Sequence, residues 1–253
     1  MKLKKVLAFA MDIGEGMLIS GAGVSRVEDT ITRICLAYGA KKADVFSITS
    51  SIVTSIEDAD GEILTQTKRI RHYKTDFKKL DEFNQLSRYM CRDLPNEKEV
   101  KQRIQKIKTG RINSFMEEVL TSAAIATAWT IFYGGGIAEG AVAILIGGAV
   151  TVLSRYLSKL TPNEMVLNFL LSFFVAALAY LSARFGITKD YGKIIIGNIM
   201  LLVPGVAFVN ALRDMIGGDM MSGILRVCES VLLAVFLAAG SFMALVFLGG
   251  VWQ

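Results

Sequence analysis

The chain has 253 residues, 53% of them hydrophobic, and a formal net charge of +5. Its charge is uneven: of 28 Lys and Arg residues, 21 lie in residues 1–113 and seven in the rest, so a basic, water-soluble portion precedes an apolar one. No nucleic-acid-binding motif accompanies the basic residues, and the scattered Cys35, Cys91 and Cys228 with the lone His72 form neither a disulfide framework nor a metal site, so no nucleic acid, metal or cofactor is expected.

Lys2, Lys4 and Lys5 followed by Val6–Met11 imitate a secretory leader, but Asp12 and Glu15 cut the apolar run short, and a cleaved signal is not expected. Leu3, Val6, Leu7, Ala10, Met11, Met17 and Leu18 recur at helical spacing and predict an amphipathic helix over about residues 3–20. Gly21-Ala22-Gly23 breaks it. Ser25, three residues before Glu28, has the spacing of a capping box for a second helix, whose buried stripe is Val27, Ile31, Ile34 and Cys35 and which Gly39 closes as a left-handed cap. Residues 45–49, 52–56 and 63–70 read as strands, with Asp58–Gly61 as a hairpin turn. A calcium loop there fails, because its first and twelfth positions would be Ile56 and Thr67. Leu80, Phe83, Leu86 and Met90 mark a further helix, and residues 96–109 a charged one. His72 reads as a surface residue.

Five apolar segments follow, at about 115–132, 137–153, 165–181, 194–212 and 224–248, each able to cross roughly 30 Å of hydrocarbon with modest tilt. The expected architecture is an α-helical polytopic membrane protein of about five transmembrane helices with an N-terminal cytoplasmic α/β domain: residues 1–112 form the domain and 113–253 the membrane part. The basic excess places the N-terminal side in the cytoplasm, although Arg184, Lys189 and Lys193 would lie in an outer loop. Small residues, among them Gly147, Gly148, Ala176 and Ala179, are expected to let helix backbones approach.

Chemistry concentrates late in the chain. Pro204-Gly205 lies inside the fourth segment, where proline removes a backbone donor and should kink or open the helix. Transporters build solute sites from such breaks, while a packing kink is the alternative. Asn210, Arg213, Asp214 and Asp219 follow, the last two flanking Gly217-Gly218; they read as a gate or a site for an anion or zwitterion, with an ordinary loop as the alternative. Glu229, about one turn inside the fifth segment, is a candidate for carrying a proton, with an ion pair to Arg226 as the structural alternative. No phosphate-binding glycine loop, Ser-His-Asp set or HExxH is present, so an enzyme is not expected.

Gly21-Ala22-Gly23-Val24-Ser25-Arg26-Val27-Glu28-Asp29-Thr30 resembles the opening motif of the threonine/serine exporter family, to which Arg26 and Glu28 match. Leu202 through Asp214 resembles its membrane signature, to which Pro204, Gly205, Asn210, Arg213 and Asp214 match directly, with Asp219 after them. The resemblance implies proton-driven export of small amino acids across the bacterial inner membrane. Longer members carry a second five-span unit, so this chain resembles the larger subunit of a split exporter that needs a small five-span membrane partner, in an assembly that could be oligomeric. Some split members are associated with dicarboxylates such as succinate, which is the alternative substrate. A membrane-anchored sensor or scaffold acting through its soluble domain is the alternative of another class.

Overall fold

A computed structural model describes residues 1–71, 73, 75–110, 114–161 and 163–249. The expectation for His72 lies outside them. Contacts between Cα atoms divide the chain into two compact units: Met1–Ile112 with Val206–Cys228, and Asn113–Gly205 with Glu229–Gln253.

The first unit begins with α1 (Leu3–Ile19) and α2 (Val24–Ala37). Val6, Ala10, Met11, Ile13, Met17 and Leu18 of α1 are wholly buried, which makes it the central helix of the core. Two glycines let its neighbours in. A Cβ on Gly14 would meet Ile31 of α2 at 2.5 Å, and one on Gly16 would meet the Phe83 ring at 2.3 Å. Asp12 and Glu15 are held by Lys68, at 2.7 Å for Glu15, and this explains charge inside an otherwise buried helix.

Strands β1 (Lys42–Ile48), β2 (Ser51–Glu57) and β3 (Ile63–Arg69) form an antiparallel meander in that order, with Val45 opposite Thr54 and Thr54 opposite Gln66. The sheet has no parallel crossover, so helices and strands are segregated along the chain rather than alternated. Ile52, Thr54 and Ile56 alternate into the core, and the Thr54 hydroxyl donates to Met11 Sδ at 3.1 Å. The turn at Asp58–Gly61 closes through Asp58 Oδ1, which accepts from the Asp60 and Glu62 amides, and Gly61 takes φ +83°.

Helices α3 (Phe77–Asp93) and α4 (Glu97–Thr109) complete the N-terminal part. Asp76 and Asn96 cap them, accepting from Lys79 and Glu99 amides at 2.9 and 3.0 Å. The capping box expected at α2 does not form. Gly23 occupies the N-cap without a side-chain bond, and Glu28 turns toward β1.

The second unit holds α5 (Phe115–Phe132), α6 (Ile137–Leu160), α7 (Glu164–Arg184) and α8 (Tyr191–Ile199). Helix α10 (Met220–Phe247) begins in the first unit and ends in the second. Among the described residues, α6, α7 and α10 are long and apolar enough to cross a membrane. Small residues set the packing here. A Cβ on Gly197 of α8 would lie 2.1 Å from Thr130 Oγ1 of α5, and one on Gly240 of α10 would lie 2.2 Å from the Phe169 carbonyl of α7. Glu139 of α6 is buried, and its carboxylate accepts from the Gly136 and Lys189 amides at 2.9 Å each.

The predicted fourth segment is not one helix. Helix α8 stops at Ile199, residues 200–204 form turns and loop, and α9 (Gly205–Ile216) restarts the helix just after Pro204. Proline cannot donate to the ladder, and its ring clashes with the turn before it.

Candidate functional site

The loop between α1 and α2 is read by side chains almost 200 residues away, all within the first unit. Gly21 takes φ +99°, a left-handed conformation that ends α1 and turns its carbonyl outward. That carbonyl accepts from Asn210 Nδ2 of α9 at 3.2 Å. The next carbonyl, of Ala22, accepts from Arg226 Nη2 of α10 at 3.4 Å. The Val24 amide, an orphan donor in the first turn of α2, donates to Asp214 Oδ1 at 3.3 Å. Asp214 thus caps a helix from which 190 residues separate it, in place of the local side chain predicted for that role. Gly23 is required by proximity: a Cβ there would sit 2.8 Å from Asp214 Oδ1.

Asp214 and Arg226 also pair with each other, Nη1 to Oδ2 at 3.3 Å, with side chains only 3% and 8% exposed. Oδ2 receives this charge contact but no hydrogen bond, so the carboxylate is incompletely satisfied. The Arg226 guanidinium lies 5.7 Å over the Tyr73 ring. Helices α9 and α10 can present both groups because they pack closely, with Gly223 against Met215 and Ala211. Gly218, at φ +100°, turns the chain between them, and the Asp219 carbonyl accepts the Gly223 amide as α10 starts.

Glu28 forms a second polar point on α2. Its carboxylate accepts from the Ser47 amide at 2.6 Å and from the Ser47 hydroxyl at 3.2 Å. Burial pushes its carboxyl above the ordinary range; the Ser47 amide opposes the rise and the nearby Asp219 charge adds to it.

The other candidate residues stand apart from this cluster. Arg213 is exposed on α9, and Arg226 supplies the guanidinium in its stead. Arg26 is exposed and donates to Asn84 Oδ1 at 3.2 Å. Gly205 has open space where a Cβ would be, so its smallness answers no packing demand. Glu229 is exposed on α10, and the ion pair considered for it is absent: Arg226 is committed to Asp214. Arg226 was the residue that sequence reasoning undervalued. Its signal was that it is one of only seven basic residues after position 113 and sits inside an apolar segment.

Residues 8–248 match the family model described as "Putative threonine/serine exporter". The chain belongs to the threonine/serine exporter family. That family is one of transporters rather than enzymes, and with the long apolar helices it points to a multi-pass membrane protein. The chain is 23% identical over 248 residues to the "Probable threonine/serine exporter" of Mycobacterium tuberculosis, covering 96% of this chain but 46% of that protein. It thus spans about half the length of that relative. It is 26% identical over 236 residues to the "Probable succinate transporter subunit YjjP" of Klebsiella aerogenes, covering 92% of this chain and 90% of that one. The protein of that name from Escherichia coli is 23% identical over 248 residues, covering 97% and 96%. No solved structure matches the chain.

Proposed function

We propose that the chain is one subunit of a proton-coupled exporter that moves small amino acids of the threonine/serine type out of the cytoplasm, together with a small five-span membrane partner. In this reading the protein lies in the bacterial inner membrane with residues 1–112 in the cytoplasm and about five spans after them. The observation that carries it is the triad of Asn210, Asp214 and Arg226 on the 21–24 loop. It joins the two family-like motifs through a buried ion pair that one proton can break. Protonation of Asp214 removes the charge facing Arg226 and weakens the acceptor of the Val24 amide. Both loop contacts then loosen, and the segment after the Pro204 break is free to move. Glu28, whose carboxyl feels the nearby Asp219 charge, acts on the same segment as a second proton-sensitive group, Glu229 serves the proton within the membrane, and Arg213 offers an exposed guanidinium to the carboxylate of an arriving solute.

A second reading differs only in solute, a dicarboxylate such as succinate. It is favoured by the nearly full-length cover of the two succinate transporter subunits, against less than half of the mycobacterial exporter. That both of these relatives are named as subunits supports the need for a partner under either reading.

The deciding experiment is efflux from vesicles loaded with threonine, serine or succinate, with and without a co-expressed partner, and with the pH gradient present or collapsed. Efflux of threonine or serine that needs both partner and gradient supports the first reading. Efflux of succinate alone transfers the assignment to the second. No flux of any solute, with metabolite binding to the full chain, overturns both in favour of a sensor. Unimpaired efflux by both Asp214→Asn and Glu229→Gln overturns the site.

A further inference from the structure

The outer faces of α2 and α3 hold a second polar site that takes no part in the proposed transport step. Positions 26, 29, 30 and 33 form one stripe of α2, and 84, 87, 88, 91 and 92 form one stripe of α3. Between them runs a groove of about 600 Å³, within the size range of small-molecule sites. Four guanidiniums line it, from Arg26, Arg33, Arg88 and Arg92, against a single carboxylate, Asp29. That carboxylate is committed to Arg33 at 2.8 Å. Arg92 leans on its neighbour Asp93, Arg26 reaches only the neutral Asn84 Oδ1, and Arg88 makes no ion pair among the described residues. With Asp29 and Asp93 both counted, the groove keeps a surplus of about two positive charges, Arg26 on one wall and Arg88 on the other. A larger groove of about 940 Å³ between α3 and α4 offers lysines rather than free guanidinium forks: Lys78, Lys79 and Lys106 line it beside Glu82, and its one arginine, Arg103, is bonded to Glu99.

We propose that this groove binds a small phosphate-bearing molecule with at least two negative charges, as an effector site on the N-terminal part of the chain. Guanidinium forks match the oxygens of phosphate in pairs, and two walls of them can hold a diphosphate where one wall would hold only a counterion. The lining has no aromatic ring, so nothing in the groove stacks on a base, and the phosphates themselves carry recognition.

The test uses the purified full-length protein and isothermal titration with sodium pyrophosphate. Pyrophosphate binds, inorganic orthophosphate binds more weakly, and adenosine and guanosine diphosphates bind alike. Arg88→Glu and Arg92→Glu each weaken pyrophosphate roughly tenfold or more, whereas Lys101→Glu, the same charge change on α4, leaves it unaltered. Affinity falls as salt is raised. Thermal unfolding of the two groove variants matches the parent, since both side chains are exposed. Short-chain phosphatidic acid serves as a competitor. If it displaces pyrophosphate at a lower concentration than pyrophosphate itself requires, the phosphate comes from a lipid headgroup; if not, from a soluble metabolite. No pyrophosphate binding, binding of succinate in its place, or equal binding by the Arg88→Glu and Arg92→Glu proteins overturns the proposal.

Discussion

Asp214 and Arg226 separate stability from function. Removing one member of a buried ion pair strands the other charge, a loss of about 3 kcal/mol, whereas replacing both with apolar groups is often close to neutral. Arg226→Met should therefore lower the midpoint of thermal unfolding clearly. Arg226→Met with Asp214→Leu should recover most of it, yet still fail to export in the vesicle assay. Full efflux in that double variant would make the pair a structural clip and nothing more. Glu28 supplies a pH-dependent counterpart. Its folded carboxyl titrates above the ordinary 4.5, so the folded state binds more protons than the unfolded one between those values. Stability is thus highest below that window and falls as pH rises through it. Glu28→Gln, which keeps an acceptor for Ser47, should flatten that slope in unfolding curves taken from pH 4 upward to about pH 8. Sequence alone singled out Asn210 and Asp214, because polar groups after a helix break need a reason. It misdirected Arg226 toward Glu229 and Glu28 toward Ser25, since spacings of three residues are visible in a string of letters. Partners 190 and 204 positions away, or across a loop on β1, are not.

Helices and strands were more readable than their contacts. Apolar spacing located α1, α2 and α3, a charged run located α4, and β-branched runs located the sheet, because burial of one face imposes a period that propensity alone does not. The strand order and the role of Gly14 and Gly16 were hidden, since they depend on what lies opposite. The break after Ile199 was foreseeable from Pro204, because proline's missing donor is a local fact. Two expectations follow at this scale. Gly197→Ala places a methyl group 2.1 Å from Thr130 Oγ1 and 2.7 Å from its backbone nitrogen, so α5 and α8 must separate. A loss of about 2 kcal/mol, or failure to accumulate in the membrane, is expected, and detergent-solubilised yield measures it. Gly205→Ala meets no atom and should leave folding unchanged. If its efflux nevertheless falls, the glycine serves motion at the break rather than packing.

For the whole molecule, the decisive matter is which compartment faces the basic portion. A cysteine at the exposed turn position Asp60, in a background lacking Cys35, Cys91 and Cys228, should react with an impermeant maleimide in inside-out vesicles and resist it in intact cells. The opposite labelling would invert every directional statement made about transport. The composition of the first unit has a further consequence, for biosynthesis. Its core helices leave the ribosome early, but the groups that engage Gly21, Ala22 and Val24 are encoded 189 to 204 residues later. At bacterial elongation rates of roughly 5–20 residues per second, the nascent loop waits on the order of 10 to 40 seconds with its amide and carbonyls still hydrated. A stalled or prematurely terminated translation product therefore carries a nearly finished domain with an open seam, and a quality-control protease that recognises this seam could sort incomplete chains from finished ones.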